Sequence, residues 1–135
     1  MKLLFLLTFL FIQLIEYHPI PISNIQDPTE IIIDCNYTFE EAINGIEIPN
    51  SIIIQLTLVD VEYYSFDDQL HRGQIVINKK AVEDIKAIFD FIKTSRFPIA
   101  KVIPIVKYNW DDETSMNENN TTAFNYRKVK GSKVL

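Results

Sequence analysis

A stripe of apolar residues at helical spacing is the clearest hydrophobic pattern in the chain. It lies between Lys79 and Thr94 and recurs every three or four positions, at Val82, Ile85, Phe89 and Ile92, with Ile88 alongside. This period predicts an amphipathic helix over 79–94. Asn78 is a suitable N-cap. Phe97-Pro98 predicts the end of the helix, because the residue before a proline disfavours helical backbone.

Runs rich in Ile, Val and Leu predict three strands. The first runs from Ser51 to Tyr64 and the second from Gln74 to Asn78. A turn-rich connection, Phe66 to Gly73, separates them, so we expect a hairpin with a long loop. The third predicted strand is Val102 to Tyr108. Its Pro104 lacks a backbone N–H and therefore indicates a sheet edge or a bulge.

Two shorter elements are predicted before the hairpin. Ile31 to Ile33 is a candidate short strand. Thr38 and Glu41 have the spacing of a capping box, in which each side chain bonds the backbone amide of the other residue. A short helix is therefore expected after Thr38, with Gly45 as a suitable left-handed residue at its end.

The first seventeen residues differ from the rest of the chain. Lys2 is their only basic residue, and Leu3 to Ile15 is apolar apart from Thr8 and Gln13. This segment, 1–17, has the length of a signal peptide and is shorter than the ~20 apolar residues that span a bilayer. We expect export to the periplasm or cell envelope, with membrane contact only through this segment. No small-residue cleavage site follows it, so an uncleaved hydrophobic arm or a buried strand is the alternative.

Composition restricts the remaining possibilities. The proline-containing stretch 18–37 indicates a linker or lead-in, and 135 residues are enough for one domain. A formal net charge of −5 argues against a nucleic-acid partner, which would require a basic face. The single Cys35 cannot form an internal disulfide, and an isolated cysteine is more often a small buried hydrophobe than a nucleophile.

Two acidic clusters are candidate metal ligands. One contains Asp67, Asp68 and His71, and the other contains Asp111, Asp112 and Glu113. A catalytic zinc site usually takes three such protein ligands and leaves one position for water. Acidic loop residues are also commonly solvated, so both interpretations stay open for these clusters.

Arg127 is a candidate for substrate binding. It ends the run Phe124-Asn125-Tyr126-Arg127. If this run is a strand, Arg127 shares a face with Asn125 and Val129. A guanidinium group there can bind a carboxylate through two parallel hydrogen bonds. The alternative is an ordinary surface arginine.

Several segments together resemble one bacterial family. They are LVDVEYYSFD at 58–67, HRGQIVIN at 71–78, FPI at 97–99 and DDETSMNENNTTAFNYR at 111–127. The resemblance is to the zinc D-alanyl-D-alanine carboxypeptidases and L-alanyl-D-glutamate peptidases that trim peptidoglycan. It extends from about Thr38 to Leu135, and the last segment is its most specific part.

The resemblance implies an α+β fold with helices packed on an antiparallel sheet. It implies a zinc ion held by two His and one Asp, with a Glu as general base, and a peptidoglycan stem peptide as the partner. Arg127 matches the family's arginine on the substrate side. The resemblance assigns no chemistry to four residues that we expect to shape the loop presenting Arg127: Ser115, Asn119, Asn120 and Thr121.

The zinc-binding motif of the family is not in this sequence. In the family, Ser-x-His-x-x-Gly-x-Ala-x-Asp would follow Leu135, and neither His18 nor His71 matches a ligand position. We therefore expect 38–135 to be the N-terminal part of a peptidase-like domain, without catalytic residues or bound zinc, so whether the chain is an enzyme stays open. We also expect the missing part to cover the helix stripe.

Two alternatives to a truncated peptidase remain at this point. The first is a non-catalytic exported module that binds cell-wall peptides or another partner. The second is an exported interaction domain unrelated to peptidases.

Overall fold

The computed structural model describes residues 30–127. The predicted segment 1–17 and residues 18–29 of the predicted lead-in lie outside the described residues. The described part combines helices with small sheets, and the predicted α+β class is confirmed.

The centre of the fold is an antiparallel hairpin. Strand β2 (Leu56–Tyr64) pairs with β3 (Leu70–Asn78) from Leu56↔Asn78 to Tyr64↔Leu70. The predicted hairpin is confirmed, but β3 begins four residues before the predicted start at Gln74. Polar residues at 71–74 hid this part of the strand, because the side chains of His71 and Gln74 are buried rather than solvated.

A third strand makes the main sheet mixed rather than purely antiparallel. Strand β1 (Ile32–Ile33) was predicted, and it pairs in parallel with β3, giving the order β1-β3-β2. The contact continues beyond β1, because Asp34 N donates to Arg72 O at 2.9 Å and Tyr37 N donates to Gln74 Oε1 at 2.7 Å. Residues 32–37 of the predicted lead-in therefore belong to the packed unit.

Two short helices precede the hairpin. Helix α1 (Phe39–Ala42) has the predicted capping box, with Glu41 N bonded to Thr38 Oγ1 at 3.2 Å and Thr38 N bonded to Glu41 Oε2 at 2.7 Å. Helix α2 (Asn50–Ile53) replaces the first part of the predicted strand from Ser51, so that part of the prediction is wrong. Pro49 precedes α2, and the helical turn lets Ile52 pack beside Ala42, Leu56 and Val76.

The predicted long helix is confirmed as one 3₁₀ turn, Lys79–Ala81, followed by α3 (Val82–Thr94). Asn78 caps the turn by accepting a hydrogen bond from Lys80 N at 2.9 Å. The apolar stripe packs against a cluster formed by four hairpin residues, Val61, Tyr63, Ile75 and Ile77, together with Val102. The expectation that another segment covers this stripe is therefore wrong.

The predicted strand Val102 to Tyr108 is also wrong beyond its first residue. Strand β4 (Lys101–Val102) is short, and Ile105–Tyr108 forms a 3₁₀ helix. Pro104 cannot donate to a strand ladder, and it immediately precedes this turn. The apolar run is nevertheless buried, with Ile105 and Tyr108 in the interior. The hydrophobic run at 102–108 therefore predicted burial correctly, but it predicted the wrong backbone geometry.

The chain then forms α4 (Asp112–Asn117) and β5 (Asn120–Thr121). Strand β5 pairs in parallel with β4 and makes a second, two-stranded sheet. Within residues 30–127, none of the helices is both long enough and apolar enough to cross a membrane.

Candidate functional site

Arg127 is held by an acidic residue in the first turn of α4. Asp111 caps this helix, because its carboxylate accepts hydrogen bonds from the amides of Glu113 and Thr114. The cap places Asp112 at the start of the helix, where Asp112 Oδ2 contacts Arg127 Nε at 2.5 Å. The other carboxylate oxygen of Asp112 accepts a hydrogen bond from Asn125 Nδ2.

Residues Phe124 to Arg127 do not form the strand that would have aligned Asn125 with Arg127. The two side chains meet because both contact Asp112. Val129, the third residue of the predicted face, lies outside the described residues. The Arg127 side chain is 56% exposed and that of Asp112 is 31% exposed, so the ion pair lies at the surface with one partner partly covered.

The four predicted loop residues stabilise the connection between α4 and β5. The side-chain amide of Asn120 bonds the backbone of Ile103 in the way that a neighbouring strand would. It accepts a hydrogen bond from Ile103 N and donates one to Ile103 O, each at 2.9 Å. It also donates to the buried Ser115 Oγ at 3.0 Å. Asn119 has a left-handed φ of 54° after the helix, and Thr121 pairs with Val102. No hydrogen bond or ion pair within 30–127 joins these four side chains to Arg127.

An open groove of about 820 Å³ lies beside Arg127. Apart from the charged residues Arg127 and Glu47, its walls are mainly apolar. They are formed by Ile46, Glu47, Ile48, Pro49, Ile53, Tyr126 and Arg127. Sequence reasoning missed the contribution of 46–49. The available signal was a pair of isoleucines between Gly45 and Pro49, in a segment with no predicted helix or strand.

Trp110 connects the two walls of this groove. Its indole Nε1 donates to Asn44 O at 2.8 Å, next to the 46–49 wall. Its ring makes an edge-on contact with Phe124, with centroids 6.2 Å apart. Because Phe124 lies three residues before Arg127, this side chain ties the loop after α1 to the segment that carries Arg127.

A second polar cluster surrounds His71 beneath the hairpin turn. His71 Nδ1 lies 2.8 Å from Asp34 Oδ1, and Nε2 lies 3.1 Å from Asp67 Oδ2. Tyr63 Oη donates to the other oxygen of Asp34 and accepts from Val102 N at 2.9 Å. Burial lowers the pKa of His71, but its hydrogen bonds to the two carboxylates outweigh burial and raise the pKa above the ordinary value.

Two further groups near this cluster resist ionisation. Burial, with the nearby charge and hydrogen bond of Asp34, raises the pKa of the Tyr63 hydroxyl. Burial also raises the pKa of the Cys35 thiol to about 11, so Cys35 remains protonated at neutral pH. The half-buried thiol therefore has the character of a small hydrophobe rather than that of a nucleophile.

The two candidate metal clusters do not assemble into metal sites. Asp68 pairs with Arg96 at 2.8 Å, whereas Asp67 pairs with His71. Asp68 therefore shares no partner with the other two residues of its cluster. Asp111 caps α4, whereas Asp112 contacts Arg127 and Asn125. In the part of the chain that the structure describes, no group of three His, Cys, Asp or Glu side chains could hold a metal ion. The residues present do not fit the zinc site that the resemblance implies.

No family model, curated protein or solved structure matches the chain. The functional argument therefore rests on the residues around Arg127 and on the resemblance of the sequence segments.

Proposed function

We propose that residues 38–135 are the N-terminal, substrate-binding part of an exported peptidase-like domain, and that Arg127 binds a carboxylate of a peptidoglycan stem peptide. The supporting observation is the position of the half-exposed Arg127 side chain on a mainly apolar groove. Binding is assigned here to Arg127 and the groove, and the loop residues Ser115, Asn119, Asn120 and Thr121 support the segment that leads to it.

The guanidinium geometry supports carboxylate binding. The shortest distance between Asp112 and the guanidinium joins Oδ2 and Nε at 2.5 Å, and the Arg127 side chain is 56% exposed. The N–H groups of an arginine match the spacing of a carboxylate and can bind it through two parallel hydrogen bonds. The exposed guanidinium at the groove can therefore bind a peptide carboxylate.

The groove suits a small aliphatic residue next to that carboxylate. Ile46, Ile48 and Ile53 supply apolar surface, and a methyl side chain such as that of alanine gains by leaving water there. Glu47 provides the opposite charge at the same groove and disfavours a second carboxylate nearby. This combination favours the alanine end of a stem peptide over a strongly acidic peptide.

The proposal assigns no peptide-bond hydrolysis to the 135 residues. In the family that the chain resembles, hydrolysis depends on zinc and a general base, and their Ser-x-His-x-x-Gly-x-Ala-x-Asp motif does not occur in this sequence. The segment 1–17 supports export to the periplasm or cell envelope.

The alternative function is a non-catalytic exported binding or interaction module for cell-wall peptides. One observation favours it: the stripe of α3 is covered by the chain's own hairpin, so residues 30–127 contain a core of their own. Both functions require the same peptide to bind at Arg127. They differ in whether a catalytic part of the domain acts together with residues 38–135.

Calorimetric titration of the purified chain with diacetyl-L-Lys-D-Ala-D-Ala tests the binding proposal. We expect Arg127→Ala to weaken binding about 10- to 100-fold, the range for a hydrogen bond to a charged group. Arg96→Ala removes another exposed arginine, one paired with Asp68, and should leave the affinity unchanged. The same peptide with a C-terminal amide should bind the wild-type chain as weakly as the free-acid peptide binds Arg127→Ala.

Absence of measurable binding by the wild-type chain would contradict both functions. Equal effects of Arg127→Ala and Arg96→Ala would show that Arg127 has no specific role. A parallel titration with L-Ala-D-Glu distinguishes the two peptide classes of the family, because its glutamate side chain adds a carboxylate near Glu47.

A further inference from the structure

We infer that His71 is a pH-sensitive switch for the hairpin turn, residues 65–69: a proton on its Nε2 holds Asp67 and orders the turn, and loss of that proton releases Asp67. The bond between Nδ1 and Asp34 persists in both states. The inference goes beyond the proposed binding role of Arg127 and does not depend on it.

Both ring nitrogens of His71 lie beside carboxylate oxygens. Nδ1 lies 2.8 Å from Asp34 Oδ1, and Nε2 lies 3.1 Å from Asp67 Oδ2. An ionised carboxylate only accepts hydrogen bonds, so both contacts are hydrogen bonds only when both ring nitrogens carry a proton. The neutral ring has one N–H group, so deprotonation leaves one carboxylate facing a bare nitrogen. The two contacts together therefore require the charged form of His71.

The different exposure of the two carboxylates decides which proton is lost. The side chain of Asp34 is 14% exposed, whereas that of Asp67 is 44% exposed. Loss of a donor costs more at the buried carboxylate, because water cannot easily take the donor's place there. Asp67 also retains a hydrogen bond from Gln69 N to its Oδ1, at 3.0 Å. The neutral ring therefore keeps its proton on Nδ1 and loses the one on Nε2.

Three titratable groups face His71: Asp34 from the segment after β1, Tyr63 from β2 and Asp67 from the turn. The Tyr63 and His71 rings stack with their centroids 6.0 Å apart, and burial raises the pKa of the Tyr63 hydroxyl, which stays neutral. The bond from Gln69 N lowers the pKa of Asp67, which stays ionised. Burial opposes the charged form of His71, but the hydrogen bonds to Asp34 and Asp67 outweigh it and raise its pKa. His71 is therefore the group that changes charge as the pH rises above about 6.5.

Asp67 connects His71 to the backbone of the turn. Its Oδ2 contacts His71 Nε2 while its Oδ1 accepts from Gln69 N, and Gln69 O accepts from Ser65 N at 3.0 Å. The proton on Nε2 therefore orders the turn through Asp67. The same turn carries Phe66, whose side chain is 69% exposed. Release of Asp67 loosens the segment that presents this aromatic ring.

NMR of the ring nitrogens in an isotope-labelled chain tests which proton is lost. Spectra from about pH 5 to about pH 9 should show both His71 nitrogens protonated at the acidic end. At the alkaline end, Nε2 should have the shift of an unprotonated nitrogen, and Nδ1 should keep its proton. His71→Gln distinguishes these signals from those of His18. Loss of the proton from Nδ1, or a ring that does not titrate, overturns the inference.

Exchange of the Gln69 backbone amide with water tests the effect on the turn. Its protection, relative to an unstructured peptide at the same pH, should fall about threefold to tenfold as His71 loses its proton, the range for one hydrogen bond. The Asp34 amide, which donates to Arg72 O, should keep its protection. Equal loss at both amides, or no loss at Gln69, overturns the inference.

Asp67→Asn tests the connection between His71 and the turn, with Asp68→Asn as the matched control. Both changes remove one negative charge from the turn, but Asp67 pairs with His71 whereas Asp68 pairs with Arg96. Asp67→Asn keeps an oxygen that can accept from Gln69 N, and its Gln69 protection should no longer fall when His71 is deprotonated. Asp68→Asn should keep the wild-type dependence. A wild-type dependence in Asp67→Asn overturns the inference.

Discussion

The indole Nε1 of Trp110 donates a hydrogen bond to the backbone carbonyl of Asn44, at 2.8 Å across 66 positions of the sequence. This bond joins the loop after α1 to the segment that precedes α4. Trp110 has a left-handed φ of 64°, which is unusual for a residue with a large side chain. The strained backbone turns the indole toward Asn44, so the bond and the unusual conformation are parts of one arrangement.

Trp110→Phe should lower the free energy of unfolding by about 0.5–1.5 kcal/mol, because the aromatic ring remains but the N–H is lost. Urea unfolding followed by circular dichroism measures the change. Asn44→Ala is the control, since it retains the carbonyl that accepts the bond. If Asn44→Ala were as destabilising as Trp110→Phe, the asparagine side chain rather than the indole bond would be responsible.

Stability should also depend on pH through His71. Its folded pKa is raised, so the folded state holds the His71 proton more tightly than the unfolded state does. This contribution is fully present below the unfolded pKa of about 6.5 and is lost as the pH rises through the folded pKa. The free energy of unfolding should therefore fall as the pH rises from about 6.5 through the raised folded pKa of His71.

His71→Gln should flatten this dependence, because glutamine keeps polar contacts with Asp34 and Asp67 but does not titrate. The difference between wild type and variant isolates His71 from Asp67, whose lowered pKa acts at more acidic pH. Urea unfolding at several pH values gives both curves. A wild-type curve parallel to that of His71→Gln would contradict the prediction.

Two phenylalanines on α3 should differ strongly in their effects. Phe89 is buried against the hairpin, whereas Phe91 is 73% exposed. Phe89→Ala should cost about 3–5 kcal/mol of unfolding free energy, the usual range for a buried phenylalanine. Phe91→Ala should change it by about 0.5 kcal/mol or less. Similar losses for both variants in denaturant unfolding would show that the stripe is not the buried face of α3.

Sequence reasoning succeeded where the pattern was local. The period of three to four residues from Val82 to Ile92 identified α3, and the spacing of Thr38 and Glu41 identified the cap of α1. It failed at Ser51, where Ile52 and Ile53 are half-buried in a helical turn and Ile54 is exposed, and around Pro104, where apolar residues are buried without a strand ladder. A hydrophobic run does not by itself determine strand geometry, and backbone geometry near a proline depends on which neighbours satisfy its hydrogen bonds.

The candidate site was predictable only in part for a similar reason. Arg127 was singled out from the run Phe124 to Arg127 and from a resemblance that included the whole 111–127 segment. Asp112 was considered only as a metal ligand, because its contacts with Arg127 and Asn125 depend on how the chain turns after β5. The bond between Asp34 and His71 joins residues 37 positions apart, and nothing in the local sequence of either one indicates the other.

Gly73 should tolerate no side chain, because β3 approaches β4 closely at this point. A Cβ atom added to Gly73 would lie 2.1 Å from Val102 O, well inside the distance at which real Cβ atoms contact oxygen. The obstructing atom belongs to the backbone and cannot rotate away. Gly73→Ala should therefore cost at least about 1–3 kcal/mol, the range for overpacking in a core.

Gly45→Ala is the comparison for this last prediction. Gly45 has a φ of 89°, and its nearest neighbour is the Trp110 ring at 3.5 Å, so an added Cβ meets ordinary contact but a strained backbone. Its cost should be about 1–2 kcal/mol from the left-handed conformation alone. Urea unfolding of both variants measures the difference. A Gly73→Ala chain as stable as the wild type would show that β4 does not pack on β3 at Val102.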